Sequence, residues 1–158
     1  TIQDDKFEYL QKTLRIISGY YGILRPFDKI LPYRLEMGTR LENENGNNLY
    51  KFWGDKITDV LNDDIEDGDI VVNLASDEYF KSINNEKLNA KIITPVFKEY
   101  KNDSYKVIAI YAKKARGLMS RFLIERKSKN IDDIKLFNTD GDTFDGNLST
   151  ENELVFTR

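Results

Sequence analysis

Apolar residues along the chain follow two spacings, one typical of helices and one typical of strands. They recur every three or four positions, as on one face of an α-helix, in three segments: residues 4–17, 49–61 and 113–127. Short apolar runs predict strands at residues 69–75, 90–100, 105–112 and 153–157, and alternation of apolar and polar residues predicts one more at residues 33–37. Two further short helices are predicted, one starting at Ser76 and one over residues 131–137. Helices and strands therefore alternate along the chain.

A polar segment at residues 101–104 joins two of these strands and is typical of a β-hairpin. The strand at 69–75 has no polar face, which predicts a buried central strand. A hairpin within an otherwise alternating pattern favours a mixed β-sheet flanked by helices, so the predicted fold class is α/β. A chain of 158 residues can enclose one core, and we expect a single domain over residues 1–158.

The absence of Cys and His excludes several kinds of chemistry. Without Cys there is no disulfide framework and no thiol redox centre. Without His there is no Ser-His or Cys-His nucleophile and no imidazole metal ligand. The longest apolar run, at residues 107–112, has six residues, too few to cross a membrane. The composition therefore predicts no membrane partner and no cofactor, and it indicates no particular oligomeric state.

Charge is distributed unevenly, although the net charge of −3 favours no partner by itself. Residues 59–69 hold six acids and no base, whereas residues 98–129 hold ten bases against three acids. Residues 130–158 return to seven acids against two bases. A basic band between acidic flanks is consistent with a solvated surface or with an anion-binding surface.

The strongest candidate site lies where a predicted strand meets the helix at 113–127. Lysines in a first helical turn oppose the helix dipole, an arrangement that a bound anion would make favourable. Gly117 inside a helix is costly, and it indicates close approach of a backbone or a ligand. We therefore interpret this segment as a phosphate- or carboxylate-binding site formed by four residues: Lys113, Lys114, Arg116 and Arg121. A solvated basic helix is the alternative.

A second candidate follows the strand at 69–75, where open α/β sheets place ligand sites. Asp77 and Glu78 could act as a base or as hard-metal ligands, and Ser76 could donate a hydrogen bond. The same three residues also describe a capped helix with acids in its first turn, which is the simpler interpretation. Both interpretations stay open at this point.

A third candidate combines arginines and tyrosines around two glycines at residues 18–40. Arg25, Arg34 and Arg40 could contact phosphates while Tyr20 or Tyr21 stacks on a base. The alternative is a loop-rich surface whose arginines pair with nearby acids.

Residues 138–146 carry Asn and Asp at alternate positions, as calcium loops do. The segment lacks Gly at the sixth position and an acid at the twelfth, so it fails the EF-hand pattern. We expect a turn-rich loop there and predict no metal site.

Six blocks of the chain together resemble one known family, the YaaA family of bacterial peroxide stress proteins. The blocks are SGYYGILRPFD at 18–28, PYRLEMG at 32–38, FWGD at 52–55, NLASDEYFKS at 73–82, YAKKARGLMSR at 111–121 and ELVF at 153–156. They occur in the family's order, cover nearly the whole chain and correspond to the C-terminal part of the family's usual length. The resemblance implies an unusual mixed α/β architecture that is not a common superfold.

The same resemblance implies a cytoplasmic protein that acts under hydrogen peroxide stress, limits damage linked to intracellular iron and binds double-stranded DNA through a basic cleft. No established reaction comes with the family. Its blocks contain seven cationic residues, of which six were selected above and the seventh is Lys81. We therefore predict DNA binding through seven residues: Arg25, Arg34, Lys81, Lys113, Lys114, Arg116 and Arg121. The alternative is an enzyme acting on a nucleotide, base or other phosphorylated ligand, with Ser76, Asp77 and Glu78 facing Lys113 and Lys114.

Overall fold

The structure is a computed structural model that describes residues 2–158, and these residues form two compact units. Unit 1 contains residues 2–9, Ile70–Leu74 and Lys91–Arg158. Unit 2 contains Leu10–Asp69 and Ala75–Ala90. Each unit is therefore assembled from segments that are distant in sequence.

Helices and strands alternate as the apolar spacing predicts. The α-helices of the described residues are α1 Phe7–Thr13, α2 Leu49–Trp53, α3 Lys56–Asp64, α4 Asp77–Phe80, α5 Ala109–Arg126 and α6 Ile131–Lys135. The strands of the same residues are β1 Ile16–Ser18, β2 Gly22–Leu24, β3 Ile70–Val72, β4 Lys91–Lys101, β5 Ser104–Lys106, β6 Thr143–Phe144 and β7 Glu153–Thr157. Single 3₁₀ turns precede α1, at Asp4–Lys6, and β6, at Thr139–Gly141.

Unit 1 is built on a mixed five-stranded sheet, which confirms the predicted fold class. The strand order is β3-β4-β7-β6, with β4 parallel to β3 and β7 and with β6 antiparallel to β7. The strand β5 pairs with the end of β4 as the predicted hairpin. Its two turn residues, Asn102 and Asp103, both have positive φ, 52° and 59°, as a type I′ hairpin turn requires.

The core of unit 1 lies between the sheet and the apolar faces of α5 and α6. Alternate residues of β4 point into it, so Ile93 and Phe97 are buried while their neighbours are half-exposed. Phe97, Phe137 and Phe156 are in mutual ring contact, with centroids 5.4–5.9 Å apart. The apolar stripe predicted for α5 is confirmed by buried Met119, which joins the same cluster.

Unit 2 contains the antiparallel pair β1 and β2 together with α2, α3 and α4. Met37 and Ile57 are 0% and 1% exposed and mark its interior. Trp53 donates its indole N–H to the carbonyl oxygen of Gly19 at 3.0 Å, as expected for a tryptophan with a satisfied N–H. This bond ties α2 to the turn between β1 and β2.

Several predicted elements differ from those observed. The strand predicted at 33–37 is absent, and the segment is irregular. The run at 69–75 forms the three-residue strand β3, which within residues 2–158 pairs only with β4 and so is an edge strand rather than a central one. The helix predicted at 49–61 is two helices, because Gly54 adopts a positive φ of 50° between them. The predicted strand at 153–157 is confirmed at both ends.

Candidate nucleic-acid interface

Helix α5 starts four residues earlier than the sequence pattern predicts. Residues 107–112 were expected to continue a strand, but β5 ends at Lys106 and the helix begins at Ala109. A short apolar run is compatible with either structure, and here Ala109 to Ala112 form the first helical turn. Lys113 and Lys114 therefore lie in the second turn. The prediction that they oppose the helix dipole in the first turn is wrong, because the dipole acts mainly within that turn.

Two of the four cationic side chains predicted on α5 are paired with carboxylates of the protein itself. The Nζ atom of Lys114 lies 2.8 Å from Oδ2 of Asp140. The Nε atom of Arg121 lies 2.7 Å from Oε1 of Glu125, one helical turn further along. The ammonium of Lys114, and then the guanidinium of Arg158, lower the pKa of Asp140 below its usual range. A phosphate at either position would have to compete with a carboxylate that is already bound.

The other two of the four predicted cations have no such partner. Among residues 2–158, neither the side chain of Lys113 nor that of Arg116 forms a hydrogen bond or an ion pair. The two residues are three positions apart and so lie on the same side of the helix. Lys113 is exposed and Arg116 is half-exposed. Their positive charges are therefore available to an external anion.

Gly117 lies beside these residues in open space. A Cβ atom added at this position meets no heavy atom within 4 Å, so no backbone of the described residues approaches it closely. The structure therefore gives no support to the intramolecular close approach that was one predicted reason for this glycine.

We expect Gly117→Ala to raise the free energy of unfolding by about 0.5–1 kcal/mol, because alanine costs less backbone entropy in a helix. Urea unfolding followed by circular dichroism measures the change. A free energy of unfolding that falls or does not change would contradict the open space around Gly117.

An acid–base cluster that the sequence analysis missed surrounds the partner of Lys114. Arg158 donates from Nη1 to Oδ2 of Asp140 at 3.0 Å and from Nε to Oε1 of Glu99 at 2.8 Å. Its guanidinium also lies over the ring of Tyr111, 4.8 Å from the centroid. These residues come from β4, α5 and the segments around β6 and β7. No motif links them in the sequence, so no sequence signal identifies the cluster.

The cluster also contains a buried carboxylate. Asp142 is 3% exposed, and burial raises the pKa of its side chain against the opposing effect of Arg158. Among residues 2–158, no set of three or more His, Cys, Asp or Glu side chains is arranged to hold a metal ion. The carboxylates of Asp140 and Glu99 hold Lys114 and Arg158 by charge pairing.

The three predicted cations of unit 2 differ in how far they are paired with carboxylates. The Nη2 atom of Arg25 lies 2.9 Å from Oδ1 of Asp64, a carboxylate that also binds Arg15. Arg15, and then Arg25, lower the pKa of Asp64. The side chain of Arg34 is 92% exposed, with only a 3.8 Å contact to Glu36. Lys81 is exposed and makes no ion pair or hydrogen bond through its side chain within the described residues.

The tyrosines predicted to stack on bases lie in a ring cluster of unit 2. Tyr20, Tyr21 and Tyr33 have ring centroids 4.9–5.5 Å apart. The Tyr21 hydroxyl accepts a hydrogen bond from the backbone N–H of Leu31, and the Tyr33 hydroxyl lies 2.5 Å from Oγ of Ser18. These bonds hold the irregular chain after β2 in place. Tyr20 is 59% exposed and Tyr33 is 40% exposed, so two rings of the cluster reach the surface.

The three residues of the alternative catalytic site, Ser76, Asp77 and Glu78, lie at the start of α4. Ser76 precedes α4 as its N-cap residue, but its side chain makes no capping hydrogen bond. The Oε1 atom of Glu78 accepts a hydrogen bond from the backbone N–H of Gly38 at 2.8 Å, so this carboxylate holds a neighbouring loop. Asp77 is exposed. These residues belong to unit 2 and Lys113 and Lys114 to unit 1, and the shared catalytic pocket stays a prediction.

Together, the fold and these surfaces define a mixed α/β protein that presents unneutralised cations on one helix of its sheet unit. No helix within residues 2–158 is both long and apolar enough to cross a membrane. The sequence model of one family, described as peroxide stress protein YaaA, matches residues 1–148 of the 158-residue chain. The chain belongs to the peroxide stress protein YaaA family, and the match covers nearly its whole length.

Proposed function

We propose that this peroxide stress protein binds double-stranded DNA in the cytoplasm and that this binding limits iron-linked oxidative damage to the DNA. The observation that carries the proposal is the pair Lys113 and Arg116 on α5, whose charges are not neutralised by any residue in 2–158. Two cations on the same side of a helix, three residues apart, are suited to neighbouring phosphates of one backbone. Such contacts give affinity without sequence preference.

The charge balance of the two units supports unit 1 as the DNA-binding part. Its residues include 14 Lys and Arg against 13 Asp and Glu, a net charge of +1. Unit 2 has 10 Lys and Arg against 14 Asp and Glu, a net charge of −4, and would repel a polyanion as a whole. Arg25, Arg34 and Lys81 belong to unit 2, so we assign them a secondary role in DNA binding.

Protection of DNA by phosphate contact fits the composition of the chain. The sequence contains no Cys and no His, so the proposed protection requires neither a thiol nor an imidazole. A protein that neutralises phosphates with Lys and Arg releases the cations condensed around the duplex. Ferrous ions held at those phosphates would be displaced in the same way. Peroxide would then react with iron further from the sugars and bases.

The test is a double variant, Lys113→Gln with Arg116→Gln, titrated against a fluorescent 20-base-pair duplex by anisotropy between 50 and 200 mM salt. We expect about a tenfold loss of affinity at the lowest salt, because two phosphate contacts are lost. The slope of log K against log salt should fall by about 1.8, which is 0.9 for each contact. Unchanged affinity and slope would contradict the proposal.

Two control variants carry the same change in charge. Lys12→Gln with Lys29→Gln removes two exposed cations of unit 2 and is expected to leave the slope nearly unchanged. Lys114→Gln with Arg121→Gln removes two cations of α5 that are already paired with Asp140 and Glu125. A smaller loss than for Lys113 and Arg116 is expected, since these charges are partly neutralised in the free protein.

A further inference from the structure

Two exposed tyrosines lie side by side on the hairpin formed by β4 and β5. Tyr100 and Tyr105 are direct partners across the two strands, so their side chains project from the same face. Their ring centroids are 5.3 Å apart with an angle of 66° between the ring planes. The residues are 60% and 44% exposed, respectively. Paired aromatic rings displayed to solvent are typical of a binding surface.

Unpaired lysines accompany the two rings. Lys98, Lys101 and Lys106 lie on the same two strands, and none of their side chains forms an ion pair or a hydrogen bond within residues 2–158. Because side chains alternate along a strand, Lys98 lies on the face of the two rings, whereas Lys101 and Lys106 lie on the opposite face. The acid among these strands, Glu99, is held by the guanidinium of Arg158. Asp103 lies at the turn. The segment 98–106, which we call the tyrosine hairpin, is therefore both aromatic and cationic.

We propose that the tyrosine hairpin binds single-stranded DNA, with bases stacked on Tyr100 and Tyr105 and a phosphate facing Lys98, the lysine that shares their face. The inference rests on the proposed function for the class of partner and adds a second site, specific for unpaired nucleotides. Every base has a planar face, so stacking on tyrosine tolerates any sequence. Lys98 on the same face supplies the electrostatic contact with the backbone that single-strand binding surfaces share, and Lys101 and Lys106 add positive charge from the other face.

Unpaired DNA fits these features better than other partners do. Bases in a duplex are already stacked on one another, so a duplex could use the lysines but not the ring faces. An acidic peptide could likewise use the lysines but has no regular series of planar groups for the rings. The hairpin is also held in shape before binding, because Asn102 and Asp103 occupy the left-handed conformations of a type I′ turn. A preformed platform lowers the entropic cost of binding.

The experiment uses the full 158-residue chain and the oligonucleotide dT20, with one 2-aminopurine at its centre. Anisotropy gives the affinity, and quenching of 2-aminopurine fluorescence reports stacking. We expect Tyr100→Leu with Tyr105→Leu to lose about tenfold in affinity for each ring and to lose the quenching. Tyr100→Phe with Tyr105→Phe keeps both rings and is expected to bind dT20 as the original protein does. The affinity for the 20-base-pair duplex should change little in either variant.

A second variant keeps the test decisive if the leucine pair perturbs the hairpin. Lys98→Gln retains both tyrosines and is expected to lower the salt slope for dT20 by about 0.7, the value for one phosphate contact. Lys101→Gln with Lys106→Gln removes two charges of the opposite face and is the control, expected to lower the slope less. Circular dichroism of each variant shows whether the fold is kept. An unchanged slope in Lys98→Gln would overturn the proposed phosphate contact.

The outcomes separate this inference from the proposed function. Duplex binding without dT20 binding overturns the inference alone, and tyrosine-dependent dT20 binding without duplex binding overturns the proposed function alone. Equal losses for duplex and dT20 in the leucine variant would overturn specificity for unpaired bases. Displacement of dT20 by poly-glutamate at matched charge would assign the surface to acidic peptides instead. A preference for rU20 over dT20 would overturn the assignment to DNA.

Discussion

Replacement of Phe137 by alanine is expected to lower the free energy of unfolding by about 3–5 kcal/mol, the range for truncating a buried phenylalanine. Phe137 is 1% exposed and packs against Phe97, Phe122 and Phe156. These contacts come from β4, α5 and β7, so the cavity would lie where the sheet meets the helices. Few neighbours could move to fill it, because each is itself held by ring contacts. Urea unfolding monitored by circular dichroism measures the loss.

The neighbouring residue provides a matched control for this prediction. Leu136 is 55% exposed, and Leu136→Ala is expected to change the free energy of unfolding by less than about 1 kcal/mol. The two positions share the same stretch of chain at the end of α6, so their difference isolates the contribution of the core contacts. Equal effects at both positions would show that the ring cluster is not the centre of the core.

Replacement of Gly19 by alanine is expected to destabilise the protein by about 3 kcal/mol, near the upper end for an inserted core methyl group. A Cβ atom on Gly19 would lie 2.4 Å from the carbonyl oxygen of Leu35, well inside van der Waals contact. The obstacle is backbone, so it cannot rotate away as a side chain could. Movement of Gly19 would also disturb its carbonyl oxygen, which accepts the indole N–H of Trp53.

A glycine-to-alanine substitution at Gly38 provides the control, because it adds the same methyl group without a clash against backbone. At Gly38 the nearest atom to an added Cβ is Oε1 of Glu78, at 2.9 Å, and this flexible side chain can move. We therefore expect Gly38→Ala to cost less than Gly19→Ala, as measured by thermal unfolding of both variants. A melting temperature for Gly19→Ala equal to that of the unaltered protein would contradict the packing of residues 19 and 35.

Much of the fold could be predicted from local patterns. The strand at 153–157 and the hairpin at 101–104 were correct, since β-branched runs and polar turn residues act over a few positions. The start of α5 was not predicted correctly, because the apolar run at 107–112 is compatible with both a strand and a helix. The edge position of β3 was missed for a different reason. Strand order depends on pairing with β4, which lies some twenty residues further along the chain.

The candidate site, like the fold, was predicted from the sequence only in part. Sequence spacing located a basic helix, and the structure confirms that Lys113, Lys114, Arg116 and Arg121 all lie on α5. The sequence could not show that Asp140, 26 residues beyond Lys114, neutralises that lysine. The tyrosine hairpin was also missed, although its hairpin was predicted. Nothing in the pattern of residues 98–106 shows that both rings are exposed and on one face.

The sequence by itself determined the kinds of chemistry open to this protein: no thiol, no imidazole, an abundance of lysine and arginine between acidic segments, and the blocks that mark its family. The tertiary structure alone decided which of those charges are available to a partner. Arg25 is bound by Asp64, 39 residues away, whereas Lys113 and Arg116 meet no acid within residues 2–158. The reason is physical: a charge is neutralised by what lies within a few ångströms of it, and folding sets those distances.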